Sequence, residues 1–164
     1  METIKSIWLV LVLLAVFACS EYCCDGAVEV QVRDWYGLER ELPTISRAAE
    51  RNGCQGDDFP ILLAVRKAEN GRAGCEFGIK DPQAWNTDLN TQAGWAAATI
   101  IKNRKRWSNQ IRDTPVDFID FLADRYCPKE DDPQGNKNWK ENVRFWHGRF
   151  RENSRSENVT NSGL

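Results

Sequence analysis

The most legible alternation of apolar and polar positions lies between Pro60 and Ile79, in PILLAVRKAENGRAGCEFGI. On a wheel of about 100° per residue, Ala64, Val65 and Ala68 fall within roughly 60° of Ile61, and Leu62 at about 100°. Glu69 lands near ~80°, inside that apolar arc, while Arg66 and Lys67 take the other side. Asp58 can serve as N-cap, and Pro60 sits in the first turn, where a missing N–H costs nothing. Gly71 can close the segment in the left-handed conformation. The pattern predicts a buried helix that ends in a carboxylate.

Helical spacing recurs on both sides of this segment. Trp35, Leu38, Leu42, Ile45 and Ala49 form a stripe, with Pro43 starting or bending a helix and Gly53 ending it. Residues 72–90 carry Gly74, Gly78, Pro82 and several Asn and Asp with little periodicity, which reads as small strands and turns. Thr91 opens a helix whose small residues Gly94, Ala96, Ala97 and Ala98 admit a close neighbour, predicting a central helix behind the acid-bearing one. Its basic end, Lys102 to Arg106, suits the C-terminal dipole and is also a candidate clamp on an anionic glycan. Thr114-Pro115-Val116-Asp117 resembles a capping box ahead of Phe118, Ile119, Phe121 and Leu122. From Cys127 to Asn138 the chain is polar and loop-like, and Asn138 with Glu141 then caps a last helix striped by Trp139, Val143, Trp146 and Phe150. His147 lies at the edge of that stripe, as a packing or surface residue. The expected fold class is mainly α, formally α+β, with five or six helices and a small β region after the acid.

Domain organisation follows from the ends. Residues 1–18 read as a signal peptide, with Lys5 as positive flank and an apolar run from Ile7 to Phe17. Val16-Phe17-Ala18 permits cleavage, and Cys19 directly after it is a lipidation candidate; lipid anchoring, plain secretion and a retained anchor helix all remain open. Residues 19–33 form a linker or short strand, 34–150 the folded domain, and 151–164 a polar, disordered tail containing the sequon Asn158-Val159-Thr160. The expected location is outside the cytoplasm: periplasmic, lipid-anchored or extracellular.

Composition changes this picture little. The 164 residues suffice for one domain with a core, and a net charge of −2 gives no reason to expect nucleic acid or an anionic membrane as partner. A monomer is expected, with membrane contact only through the possible lipid. Seven tryptophans are many for this length; some are candidate platforms for pyranose rings. Export makes disulfides the default for the six cysteines. None has metal-site spacing and the only histidine is remote, so no metal or cofactor is expected. Cys54 and Cys75 flank a helix of roughly 18 Å, so a bond between them would need the loops to fold back along the helix and is disfavoured; Cys75–Cys127 is the preferred pair, which would tie the segment after the acid to the R-Y-C-P segment.

An acid among apolar neighbours at the negative end of a helix dipole is held protonated above its ordinary range, as a general acid near neutral pH requires. The structural alternative is a partly buried glutamate tied to an arginine. The run R-K-A-E-N-G followed by E-F-G-I resembles the catalytic segment of the lysozyme-like superfamily, especially goose-type lysozymes and soluble lytic transglycosylases. That resemblance, strongest here and looser over residues 43–150, implies Glu69 as general acid and a post-helix segment at Phe77-Gly78-Ile79, with Phe77 and Gly78 beside the substrate. The order R-Y-C-P, D-D-P-Q-G-N, N-W-K-E-N-V resembles a segment of bacterial and phage muramidase-like domains, which implies Tyr126 beside the sugar cleft; a core tyrosine is the alternative. Glu76 and Asp88 are candidates for a second carboxylate, each also fit for a turn or cap.

The implied activity is cleavage of the β-1,4 bond between N-acetylmuramic acid and N-acetylglucosamine in peptidoglycan glycan strands. The transglycosylase signature ends Gly-Leu-Met-Gln where this chain has Phe-Gly-Ile-Lys, and hydrolase versus transglycosylase stays open. The competing readings are a non-catalytic wall-glycan-binding module on the same fold and a disulfide-stabilised secreted protein with another partner.

Overall fold

The structure, a computed structural model, describes residues 35–111 and 116–161, with side chains described through Ser154. The expected signal segment, the linker, Cys19 and the Thr114-Pro115 cap lie outside the described residues. Among the described residues there are five helices: α1 (Leu42–Arg51), α2 (Asp58–Glu69), α3 (Leu89–Gln110), α4 (Phe118–Tyr126) and α5 (Pro133–Asn161). Among the described residues no helix is long and apolar enough to cross a membrane.

Helix α2 is the centre of the domain. Every residue from Pro60 to Arg66 is buried, and Leu62, Leu63, Ala64 and Val65 are fully so. A helix buried on all sides needs partners on all sides, and α2 packs on α1, α3 and α5. Its contact with α5 is the most extensive among the described helices, while α3 packs most extensively on α1. Helices α2 and α5 run antiparallel: Asp57, just before α2, lies 2.9 Å from His147 and 3.2 Å from Arg151, whereas Glu69 at the other end meets Trp139. Arg66 is also inside, not on an outer face. Its guanidinium donates to both oxygens of Glu41, at 2.7 and 2.8 Å. The fork geometry of that pair compensates the buried cation.

Several boundaries differ from the sequence expectation, each for a local reason. Asp58 is the first residue of α2, and its carboxylate accepts from Arg104 of α3, at 2.9 and 2.6 Å, instead of capping. Asn70, with φ of 43°, takes the left-handed closing position expected of Gly71. Asp88 caps α3 by accepting from the Thr91 N–H at 2.7 Å, and Asp117 caps α4 through Ile119 and Asp120. The stretch 133–138, expected as loop, is already helix: Pro133 fits a first turn, and Asp132 accepts from the Gly135 N–H at 2.8 Å. Buried Asn136 then donates to Asp124 and to the Cys127 carbonyl, tying the start of α5 to the end of α4. At its far end α5 continues to Asn161, through much of the expected tail.

The expected β region is absent from the described residues; 72–88 is a succession of turns. Gly74, Gly78 and Asn86 have φ of 84°, 65° and 61°, values that no extended strand tolerates. The turn carbonyls of Gly74 and Ala84 accept from the side-chain amide of buried Gln92 on α3, which replaces a strand partner.

Candidate active site

Glu69 stands at the C-terminal end of α2, two-sidedly enclosed. On one side the Trp139 indole of α5 donates to Glu69 Oε1 at 2.8 Å. On the other lies Gly78, whose α-carbon has no room for a side chain: a Cβ there would stand 2.1 Å from Glu69 Oε2. Glycine is therefore required at 78 twice over, by its φ and by the carboxylate resting against it. The close turn that brings Gly78 back to α2 depends on Gly71, where a Cβ would stand 1.8 Å from the Cys75 carbonyl oxygen. Buried Phe77 anchors the same turn in the core.

The electrostatics of Glu69 combine opposing effects. Loss of solvent is the largest and raises its pKa, while the Trp139 hydrogen bond and the charge of Lys80 lower it. The net shift is upward. Among the described residues no arginine is paired with it; Arg66 is engaged by Glu41. Trp139 is itself held by Tyr126, whose ring stacks on the indole with centroids 5.1 Å apart and planes 22° from parallel. Tyr126 Oη is buried without a hydrogen-bond partner among the described residues. Desolvation there, together with the Glu69 charge, pushes the phenol above its ordinary range.

A groove of about 350 Å³ adjoins this assembly at Gly78 and Tyr126, and is lined further by Ile79, Lys80, Thr99, Arg125 and Pro128. Its walls are partly apolar and carry the cations Lys80 and Arg125. Gly78 and Tyr126 both line this groove. Phe77 does not: it is fully buried in the core and packs instead of facing the groove. Asp88 is spent as the α3 cap. Glu76 is buried, with Oε2 unpartnered among the described residues. Arg104 is tied to Asp58 and lies over the Phe118 ring at 3.4 Å, so it is not part of a glycan clamp. His147 is at the opposite end of α2 from the acid.

Cys54, Cys75 and Cys127 are free thiols, so the expected Cys75–Cys127 bond is not formed in this structure. Among the described residues no group of three His, Cys, Asp or Glu side chains is placed to hold a metal ion. The role of Trp139 was not legible in the sequence, where it reads as one member of an apolar stripe. A buried indole needs an acceptor for its N–H, but only the fold identifies that acceptor. No protein-family model, no curated protein and no solved structure matches the chain.

Proposed function

We propose that this chain is an exported peptidoglycan-cleaving glycosidase with Glu69 as general acid. The observation that carries the reading is the seating of Glu69: a desolvated carboxyl with raised pKa, oriented by an indole N–H and a glycine, beside a groove of about 350 Å³. Its local resemblance to lysozyme-like catalytic segments points the same way. In the reaction, the Glu69 proton passes to the glycosidic oxygen as the C1–O bond breaks and its electron pair leaves with that oxygen. Positive charge then develops on C1 and the ring oxygen. The remaining Glu69 carboxylate then takes a proton from the incoming nucleophile.

With Asp88 capping a helix and Glu76 buried, the substrate's own N-acetyl group is the better candidate for stabilising the sugar cation. Attack by water gives a reducing end; attack by the muramoyl 6-hydroxyl gives a 1,6-anhydro sugar. Digestion of purified sacculi followed by mass spectrometry tests the proposal. Soluble muropeptides are expected from the wild type, with anhydromuramoyl ends identifying a transglycosylase. Folded protein that binds sacculi without releasing fragments is a wall-binding module, and the glycosidase reading is then wrong.

A further inference from the structure

The hydrogen bond between Trp139 and Glu69 has a chemical consequence beyond orientation. An indole N–H only donates, so the oxygen it holds must accept. In a neutral carboxyl group the carbonyl-type oxygen is the better acceptor, and the hydroxyl is left on the other oxygen. Oε1 is the oxygen held by Trp139, at 2.8 Å. Oε2 is the one resting against Gly78, a residue of the groove wall. We propose that Trp139 is a positioning residue that fixes the Glu69 proton on Oε2, the oxygen on the Gly78 side, so that the acid delivers it to the substrate without rotating. The inference rests on the reading of Glu69 as general acid.

Two features make the arrangement rigid. Trp139 is buried, and the Tyr126 ring stacked on it holds the indole plane. Gly78 leaves the carboxylate a slot with no competing side chain. The ionisable groups acting on this centre from neighbouring elements are Lys80 of the connection after α2, and Tyr126 and Cys127 at the end of α4. The indole bond favours the ionised acid and so opposes the desolvation that raises its pKa.

The test uses the full chain as wild type, Glu69→Gln and Trp139→Phe, the last keeping an aromatic ring against Tyr126 while deleting the N–H. Among the indole signals of the seven tryptophans, one absent from Trp139→Phe should move with pH in the wild type and stay flat in Glu69→Gln. In Trp139→Phe the carbon-13 titration of the Glu69 carboxyl should move to higher pH. Its kcat on sacculus fragments should fall about 10- to 100-fold with KM little changed, as misplacement of a reacting group implies. An unmoved Glu69 midpoint in Trp139→Phe, even with activity lost, leaves Trp139 a packing residue and overturns the proposal. If Trp139→Phe does not fold, the wild type and Glu69→Gln decide alone: no indole signal that titrates only in the former overturns it. A wild type inactive on sacculi removes the glycosidase reading instead, and the titrations still report whether the Trp139 N–H holds the Glu69 carboxyl.

Discussion

Glu69 is half-buried, and loss of solvent raises its pKa; as the proposed general acid it must also reach the substrate. The raised pKa has a definite sign in stability. The folded state holds the Glu69 proton more tightly than the unfolded chain, so its contribution is fully present below the ordinary carboxyl value of 4.5 and is lost as pH rises through the raised folded value. Glu69→Gln removes that dependence. The variant should match the wild type in acid and melt higher at neutral pH, and its turnover should fall by at least about 10²–10⁴-fold. Comparing melting curves at both pH values with sacculus clearance reads both effects; undiminished clearance by the folded variant would rule out the catalytic role. Gly78→Ala separates the same two quantities differently. Its left-handed φ costs the variant about 1–2 kcal/mol. The clash with Glu69 Oε2 is relieved by displacing a flexible carboxylate, so activity should fall far more than stability. A variant with full activity and lowered melting temperature would contradict the packing of the acid against Gly78.

At the scale of elements, α2 illustrates how an apolar helix is terminated on demand. Asn70 turns left-handed, Gly71 lets the Cys75 carbonyl approach, and the chain doubles back on Glu69 within a few residues. The helix is also fastened from the side by Arg66, which is 9% exposed, to Glu41 immediately before α1. Glu41→Ala leaves that guanidinium without its carboxylate. The expected loss is about 2–3 kcal/mol, short of the ~3–5 of a fully buried pair because Glu41 is partly solvated. Denaturant unfolding of the variant checks it, and a change under about 0.5 kcal/mol would mean that water replaces the pair. The turns of residues 72–88 are the element most misjudged from sequence. Their Gly, Asn and Pro content fits either a small β wing or a chain of turns; the positive φ angles and the reach of Gln92 into Gly74 and Ala84 select the latter.

At the scale of the molecule, the site joins the end of α2, the turn at 78–80, the end of α4 and the start of α5. Glu69 and Trp139 are 70 positions apart in sequence. Antiparallel packing of α2 on α5 brings them together, and the Asn136 bonds to Asp124 and Cys127 set the register of α5 against α4. Lys80 and Arg125 then give the groove cationic walls. Arg125 is exposed and contributes no bond to Glu69, so Arg125→Ala should raise KM for acidic glycan fragments by about two- to fivefold with kcat little changed, the effect of up to ~1 kcal/mol of exposed charge contact. Added salt should shrink the difference. An unaltered KM would place the acidic substituents elsewhere.

The apolar periodicity around Ile61 determined that α2 is buried and that a carboxylate ends it, because both follow from spacing within one helix. The stripes at Ile45 to Ala49 and Trp139 to Phe150 likewise determined which faces enter the core. Gly78 stood out in the sequence only as one of several turn glycines and through the resemblance, not for the carboxylate packed against it. What only the tertiary structure decided is which groups face Glu69. Trp139, Tyr126 and Lys80 reach it through the packing angles and registers of separate elements, and Phe77 turns inward at the same step. A hydrogen bond across 70 residues leaves no periodic trace in the chain, since each partner's local pattern is satisfied by burial alone.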